Sequence, residues 1–252
     1  MVGHETTAGS LSFTLLELAR RPEIQQRLRE EIRQVGRDLG YDDVQRLEFL
    51  DAVVKEGCVF TLPPAVFVEV CADCMRLFAF SSSCPFSAPL SRTHSLRLHP
   101  ASPQTERVAL RDDVIPLSKP IVTPTGETLT SVRIKAGQVF HIPFTTMHVN
   151  PTVWGPTAAQ FDPSRWLRPD GVPPPSALPH GWSGLVTFCD GPRNCIGYRL
   201  AVFEFKVILA TLVRSLEFHE TTAVVREKIS PTLQPVVDGR GGLLPVHVTL
   251  AP

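Results

Sequence analysis

The sequence predicts a mostly α-helical fold with small β-sheets, an α+β class, on three observations. Apolar residues recur at helical spacing over residues 1–57. From residue 96 onward, short β-prone runs alternate with turn residues. A long apolar run from Ile196 to about Leu216 is typical of a buried helix. The chain has 252 residues, 43% of them hydrophobic, and no net charge, which allows a sizeable core and argues against nucleic acid as a partner.

Three helices are predicted in the first part of the chain. Residues 2–19 are apolar and rich in small side chains, with leucines clustering toward one side. Pro22 suits the first position of the second helix, whose apolar residues follow a 4-4-3 spacing: Ile24, Leu28, Ile32 and Val35. The third helix, "LEFLDAVVKEG", ends near Glu56 and Gly57.

Residues 58–95 differ in composition from the rest of the chain. They contain four of the six cysteines, five of the fourteen phenylalanines and no lysine. Pro63 and Pro64 break any helix, and neither a helical nor a strand period persists. We therefore divide the chain into residues 1–57, a foreign-looking insert at 58–95, and residues 96–252.

The third part is typical of β-strands and turns up to the last long helix. "RVALRDDVIPL", "GETLTSVRIKAGQVFHIPF" and, near the C-terminus, "LLPVHVTL" are bounded by turn residues. Residues 151–190 are rich in proline and glycine and predict an irregular surface segment. The chain shows no secretory signal peptide and no run of 18 apolar residues that could span a membrane.

The segment "FCDGPRNCIG", residues 188–197, raises the question of what Cys195 does. Without a secretory signal, a reducing compartment and free or metal-bound thiols are expected rather than disulfides. Cys189 and Cys195 are too far apart for a zinc knuckle, and no second pair stands near them. A nucleophilic thiol needs a nearby histidine or asparagine, which sequence alone does not exclude. An isolated cysteine would most simply be a buried structural residue.

The cysteine is not isolated, because the spacing F-x-x-G-x-R-x-C-x-G is met in full by Phe188, Gly191, Arg193, Cys195 and Gly197. This segment resembles the haem-binding loop of the cytochrome P-450 family of haem-thiolate monooxygenases. The glycines let the backbone turn tightly and approach a flat macrocycle. The cysteine precedes the long apolar helix, whose N-terminus stabilises a thiolate, and such a ligand favours O–O cleavage on haem iron.

The resemblance assigns roles to the side chains of this loop. It implies that Cys195 is the axial ligand of the haem iron. Arg193 would pair with a haem propionate through charge-assisted hydrogen bonds. Phe188 would pack against the ring near the sulfur. Farther upstream, Arg107 falls where the family often places a second arginine that pairs with a propionate.

A second segment, "VGHETT" at residues 2–7, resembles the oxygen-activation segment in the family's long central helix. Taken alone, a threonine beside an acidic residue is more simply a helix cap. The resemblance implies that Glu5 is the acid and Thr6 the hydroxyl that relay protons to bound oxygen. Gly3 would leave room for oxygen and substrate.

A third segment, "FDPSRW" at residues 161–166, resembles the family's meander motif. In the family, the arginine of this motif, here Arg165, completes a buried network with a Glu-x-x-Arg pair on an upstream helix. That pair is interrupted here, because "VVKEG" stops at Gly57 and "LRLHP" resumes at Leu96.

Joining the two fragments restores the motif and places Glu56 and Arg97 three residues apart, on one face of a helical turn. We therefore hypothesise that residues 58–95 derive from a retained intron or a misdrawn exon boundary. Transcript sequencing that shows continuous coding through this segment would contradict the hypothesis. His99, His141 and His148 are interpreted as structural or surface residues rather than iron ligands.

The resemblance implies the C-terminal half of a microsomal or fungal-type member, truncated at the N-terminus and lacking the membrane anchor and early helices. It further implies a haem monooxygenase that uses O2 to hydroxylate a small organic substrate of apolar character. Electrons would come from NADPH through a flavoprotein reductase, and the full-length protein would reside at the endoplasmic reticulum membrane. Two alternatives stay open: a haem-thiolate isomerase or peroxygenase on the same scaffold, and a catalytically inactive fragment.

Overall fold

The structure, a computed structural model, describes residues 3–36, 38–56, 58–59, 93–94, 97–98, 100–229 and 232–252. Its backbone divides into two compact units. The described residues of the first unit fall within 3–59, 93–103 and 143–252, and those of the second within 104–142.

The α-helices of the described residues all lie in the first unit. They are α1 (Gly3–Arg20), α2 (Pro22–Arg33), α3 (Tyr41–Arg46), α4 (Glu48–Glu56), α5 (Phe144–His148), α6 (Pro151–Trp154) and α7 (Tyr198–Ser215). The four long helices expected from the apolar periodicity are thus confirmed to within a few residues. The short helices α3, α5 and α6 are not predicted, because four to six residues are too few to display a helical period. The last helix begins at Tyr198 rather than at Ile196, with Gly197 as its N-cap.

Small antiparallel sheets complete both units. The strands are β1 (Cys58–Val59), β2 (Thr93–His94), β3 (Thr105–Val108), β4 (Asp113–Val122), β5 (Thr128–Ile134), β6 (Val139–Ile142), β7 (Leu216–Glu220), β8 (Arg226–Ile229), β9 (Leu233–Val237), β10 (Arg240–Gly241) and β11 (Val246–Leu250). Strand β1 pairs with β2, β7 with β11, and β9 with both β8 and β10. In the second unit, β3 pairs with β6 and β4 with β5. The predicted α+β class is therefore confirmed.

The core of the first unit forms where α1, α2, α4 and α7 pack together. Fully buried side chains from each helix meet there, among them Leu18, Leu28, Val53 and Leu209. This packing fixes α7, the helix that directly follows the segment 188–197. Among the described residues, none of the helices has the length and apolar character needed to cross a membrane.

Candidate active site

Residues 188–197, the cysteine loop, are held in a tight conformation by backbone hydrogen bonds. The N–H of Cys195 donates to the carbonyl of Phe188 at 2.8 Å. A short 3₁₀ turn spans Gly191–Arg193, and the Asp190 carboxylate caps it by accepting from the N–H of Gly191 at 2.7 Å. Gly191 has a φ of +68°, in the left-handed region that only glycine adopts without strain. These hydrogen bonds therefore fix the backbone position of Cys195 within the loop.

Cys195 is an exposed free thiol that lies just before the N-terminus of α7. Its carbonyl accepts a hydrogen bond from the N–H of Tyr198, the first residue of that helix, at 3.4 Å. The backbone of Cys195 is therefore bonded directly to the first turn of α7. Ile196 is fully exposed and Leu200 is 61% exposed, so two apolar side chains that follow Cys195 closely in sequence are open to a ligand.

Phe188 anchors the other end of the cysteine loop through aromatic contacts. Its half-buried ring packs edge-on against Trp182, with centroids 5.5 Å apart, and lies 6.0 Å from the ring of Tyr198. Such aromatic pairs stabilise by roughly 0.5–1.5 kcal/mol beyond their buried area. The ring position is thus fixed by neighbours that the sequence motif does not include.

The residues of the cysteine loop fit a haem group, because the space beside its glycines is open. An added Cβ at Gly191 or Gly197 would meet no heavy atom within 4 Å, so the backbone is open to a flat ligand at both glycines. The exposed guanidinium of Arg193 can pair with an anionic propionate. Across the described ranges, no three histidine, cysteine, aspartate or glutamate side chains form a metal-binding cluster, which disfavours a zinc-type cage at Cys195.

The carboxylate of Glu56, at the end of α4, is fully buried and is the centre of a second cluster. Arg97 donates to both of its oxygens, from Nε at 3.1 Å and from Nη2 at 3.0 Å. Arg165 Nε donates to Oε1 at 3.2 Å, and Trp166 Nε1 donates to Oε2 at 2.8 Å. The N–H of Asp162 adds a fifth donor at 3.0 Å. We call these five residues the Glu56 network.

The N–H groups of the Arg97 guanidinium all have hydrogen-bond acceptors, although the side chain is inaccessible to solvent. Its Nη1 donates to the carbonyls of His148 and Ala158, both at 2.8 Å. The guanidinium also lies over the ring of Trp154, 4.8 Å from the centroid. Burial lowers the pKa of Arg97 from its ordinary value, while the Glu56 carboxylate acts in the opposite direction.

The insert does not separate Glu56 from Arg97 in space. The strands β1 and β2 pair at its two ends, with Cys58 opposite His94. The N–H of Arg97 donates to the carbonyl of Lys55 at 3.2 Å. Without the 38 residues 58–95, Arg97 would follow Lys55 by four positions, so this bond is the i to i−4 bond of a continuous α-helix. Arg97, which lies in a turn, thus keeps the backbone bond that a continuous helix would give it.

Three further predicted site residues lie elsewhere. Glu5 and Thr6 lie in the first turns of α1, with Glu5 exposed and Thr6 half-buried, and α1 packs against α7. Arg107 lies on β3 in the second unit, where its Nη1 donates to Thr105 Oγ1 and to the carbonyl of Glu106, both at 2.7 Å. The roles of these three residues stay predictions.

His99 falls outside the described residues, and the other two histidines have structural surroundings. His141 lies on β6, with Nδ1 3.3 Å from the Glu106 carboxylate. His148 ends α5 and is 1% exposed, with its carbonyl bound to Arg97.

One buried ion pair near the site is absent from the sequence interpretation. Lys206 of α7 is nearly inaccessible, and its Nζ lies 2.6 Å from Oδ1 of Asp51 on α4. Burial raises the pKa of Asp51, but the hydrogen bonds from Lys206 and Lys55 lower it by a larger amount. The net shift of the Asp51 pKa is therefore downward. The pair joins the helix that follows Cys195 to the helix that carries Glu56. Lysine in an otherwise apolar helical stripe is the sequence signal for such a pair.

Comparison with known families gives a match over most of the chain. The family model described as Cytochrome P-450 matches residues 1–57 and 94–237, and leaves residues 58–93 unmatched. The matched residues include the cysteine loop, the Glu56 network and the Glu5–Thr6 pair.

Curated fungal proteins align over nearly the whole chain. Cytochrome P-450 monooxygenase 128 of Postia placenta is 33% identical over 241 residues, which cover 94% of this chain and 37% of that protein. Cytochrome P-450 monooxygenase claP of Ampulloclitocybe clavipes is 35% identical over 222 residues, 87% of this chain and 34% of that protein. The chain thus spans about a third of the length of the curated relatives it matches. The chain belongs to the cytochrome P-450 family.

Proposed function

We propose that Cys195 is the axial thiolate ligand of a haem iron and that the protein is a haem-dependent monooxygenase. The observation that carries the proposal is the exposed sulfur on a loop fixed by Phe188 at the N-terminus of α7. When bound, the haem would supply the oxygen chemistry, in which one atom of O2 enters an organic substrate and the other is reduced to water.

The chain would supply the binding surface around that group. Cys195 would bind the iron, and Arg193 would neutralise a propionate carboxylate. Ile196 and Leu200 would be covered by the apolar macrocycle, which removes their exposed surface from water. Phe188, fixed by its aromatic neighbours, would exclude water from the side of the sulfur.

Glu5 and Thr6 would handle protons for the oxygen chemistry. The carboxyl of Glu5 is exposed and can exchange protons with solvent, whereas the Thr6 hydroxyl is half-buried. A proton would pass from a Glu5 carboxyl oxygen to Thr6 Oγ1 and on toward the substrate side. The packing of α1 against α7, the helix that follows Cys195, supports this assignment.

The partners of the whole protein are proposals that rest on its family. Electrons would come from NADPH through a flavoprotein reductase that docks on the side of Cys195. The substrate would be a small organic molecule of apolar character. The full-length protein would reside at the endoplasmic reticulum membrane, as in microsomal members.

The test is the carbon monoxide difference spectrum of the haem-loaded, reduced chain. We expect a strongly red-shifted Soret band, which is the signature of thiolate ligation. Cys195→Ser should abolish this band, whereas Cys189→Ser, in the same loop, should retain it. A red-shifted band that survives Cys195→Ser, or no such band in the unsubstituted chain, would contradict the proposal.

Turnover of the same chain tests the finer proposal of O2-dependent oxidation. We expect product formation from a panel of apolar substrates with NADPH, a flavoprotein reductase and oxygen. Turnover supported by peroxide alone would instead indicate a peroxygenase. Glu5→Gln should slow the oxygen-dependent reaction without changing the carbon monoxide spectrum.

A further inference from the structure

His148 contacts two parts of the site through different atoms. Its carbonyl accepts from Arg97 Nη1 at 2.8 Å and so belongs to the surroundings of the Glu56 network. Its imidazole Nε2 accepts from the N–H of Val186 at 2.9 Å. Both His148 and Val186 are buried, so this bond is shielded from water.

Val186 leads directly into the cysteine loop. Its carbonyl accepts from the N–H of Cys189 at 2.8 Å, and the carbonyl of Phe188 accepts from the N–H of Cys195 at 2.8 Å. Three hydrogen bonds in sequence therefore connect the imidazole of His148 to the backbone that carries the sulfur.

The buried imidazole has a second nitrogen that the bond to Val186 leaves unpaired. Because Nε2 accepts, the proton of the neutral ring is on Nδ1. This atom has no hydrogen-bond partner among the described residues. An unpaired buried donor lowers stability, so packing alone does not favour histidine here. Acceptance from the N–H of Val186 is the contact that favours it.

Burial also keeps the acceptor in place at neutral pH. Desolvation lowers the pKa of His148 from 6.5 to about 3, and the nearby Arg97 charge acts in the same direction, although the interaction of the ring with the backbone of Arg97 opposes it. The ring is therefore neutral under physiological conditions, and Nε2 remains an acceptor.

We propose that His148 is a positioning residue that connects the Glu56 network to the cysteine loop and fixes the backbone that orients Cys195. The role in haem ligation rests on the proposed function, whereas the role in backbone positioning does not. Through this bond, the conformation of the cysteine loop depends on Arg97. This dependence does not require a direct contact between Arg97 and Cys195.

Amide hydrogen exchange of the haem-free chain tests the backbone role. His148→Phe preserves the ring volume but removes the acceptor. We expect exchange at Val186, Cys189 and Cys195 to accelerate about tenfold or more, while amides of the buried face of α2 stay protected. His148→Gln, whose side-chain oxygen can approach the former position of Nε2, should restore most of the protection.

Controls separate a local effect from general destabilisation. His180→Phe, at an exposed histidine, should leave the exchange at all three loop amides unchanged. The smaller His148→Asn, whose amide does not extend as far as Nε2, provides a second variant without the acceptor should the phenylalanine disturb folding. Unchanged exchange at Val186 and Cys195 in folded His148→Phe or His148→Asn would overturn the proposal, as would equal acceleration throughout α2.

Spectra of the haem-loaded variants test the consequence for ligation. We expect the fraction of the red-shifted carbon monoxide complex to fall severalfold in His148→Phe and to recover in His148→Gln. If the unsubstituted chain gave no red-shifted band, the proposed function would fail, and the exchange measurements would still decide on His148. Loss of loop protection without a change in the spectrum would overturn the proposed orientation of Cys195.

Discussion

The Glu56 network and the cysteine loop lie in the same unit but differ in their exposure to solvent and in what their contacts do. At the centre of the network, Glu56 and Arg97 are inaccessible to solvent, and the Glu56 carboxylate accepts hydrogen bonds from Arg97, Arg165, Trp166 and the backbone of Asp162. The cysteine loop has an exposed thiol and is held mainly by its own backbone and by Phe188. The network therefore stabilises the fold by internal contacts, whereas the loop presents groups to a ligand.

The difference determines what a substitution in each region should change. A buried charge that loses its partner destabilises the folded state strongly. A loop that binds a ligand changes affinity and spectrum, and its stability rises with ligand occupancy.

The largest expected effect is the loss of the network's central charge. Glu56→Gln removes the carboxylate that two buried arginines bind directly, so the free energy of unfolding should fall by about 3–5 kcal/mol. Urea denaturation of the haem-free chain measures the loss. Glu48→Gln, an exposed residue of the same helix, should change the unfolding free energy by no more than about 0.5 kcal/mol. Equal effects of the two substitutions would contradict the assigned role of Glu56.

Acid should destabilise the fold through His148. Its pKa in the folded state, about 3, lies below the ordinary value of 6.5, so the unfolded chain binds the proton first as pH falls. This contribution is constant above pH 6.5 and falls by about 1.4 kcal/mol per pH unit between 6.5 and 3. Unfolding free energies measured against pH should decline less steeply in His148→Gln. An equal pH dependence of the unfolding free energy in the original chain and in His148→Gln would contradict this contribution of His148.

Deletion of residues 58–95 should stabilise the network. The deletion makes Arg97 the fourth residue after Lys55 and converts an existing hydrogen bond into an ordinary helical one. Removing the closure entropy of a 38-residue loop should raise the unfolding free energy by roughly 3 kcal/mol. Urea midpoints of the two chains measure the difference. A lower midpoint in the shortened chain would show that the insert contributes to the fold.

The smallest expected effect concerns the backbone of the cysteine loop. Gly191→Ala places a Cβ at a φ of +68° and should destabilise the haem-free chain by about 1–2 kcal/mol. Gly197→Ala, at an ordinary φ of −89°, is the matched control and should change stability by less than about 0.5 kcal/mol. Gly197→Ala should instead weaken haem binding, measured by titration, because its Cβ enters the open side of the loop. Unchanged haem affinity would place the haem elsewhere.

Sequence reasoning predicted the parts of the site that depend on local spacing. The cysteine loop is contiguous, and the joining of Glu56 to Arg97 needed only the recognition of a split motif. The long helices followed from apolar periodicity, because their buried faces repeat every three to four residues. The fold class followed from these helices and from the turn-bounded β-prone runs.

Contacts that depend on tertiary packing could not be predicted in this way. The bond from Trp166 Nε1 to Glu56 requires two residues that are 110 positions apart. The acceptor role of His148 depends on the approach of Val186, which no local pattern records. The Lys206–Asp51 pair likewise joins two helices that are distant in sequence. To predict each of these contacts, one must know the direction of the side chain as well as its position in the sequence.

The central claim is that the Cys195 sulfur binds the haem iron, and iron X-ray absorption of the haem-loaded ferric chain tests it most directly. The account predicts a sulfur atom in the first coordination shell of the iron. That sulfur should disappear in Cys195→Ser and remain in Cys189→Ser. A first shell of nitrogen and oxygen alone in the unsubstituted chain, or a sulfur that persists in Cys195→Ser, would contradict the claim.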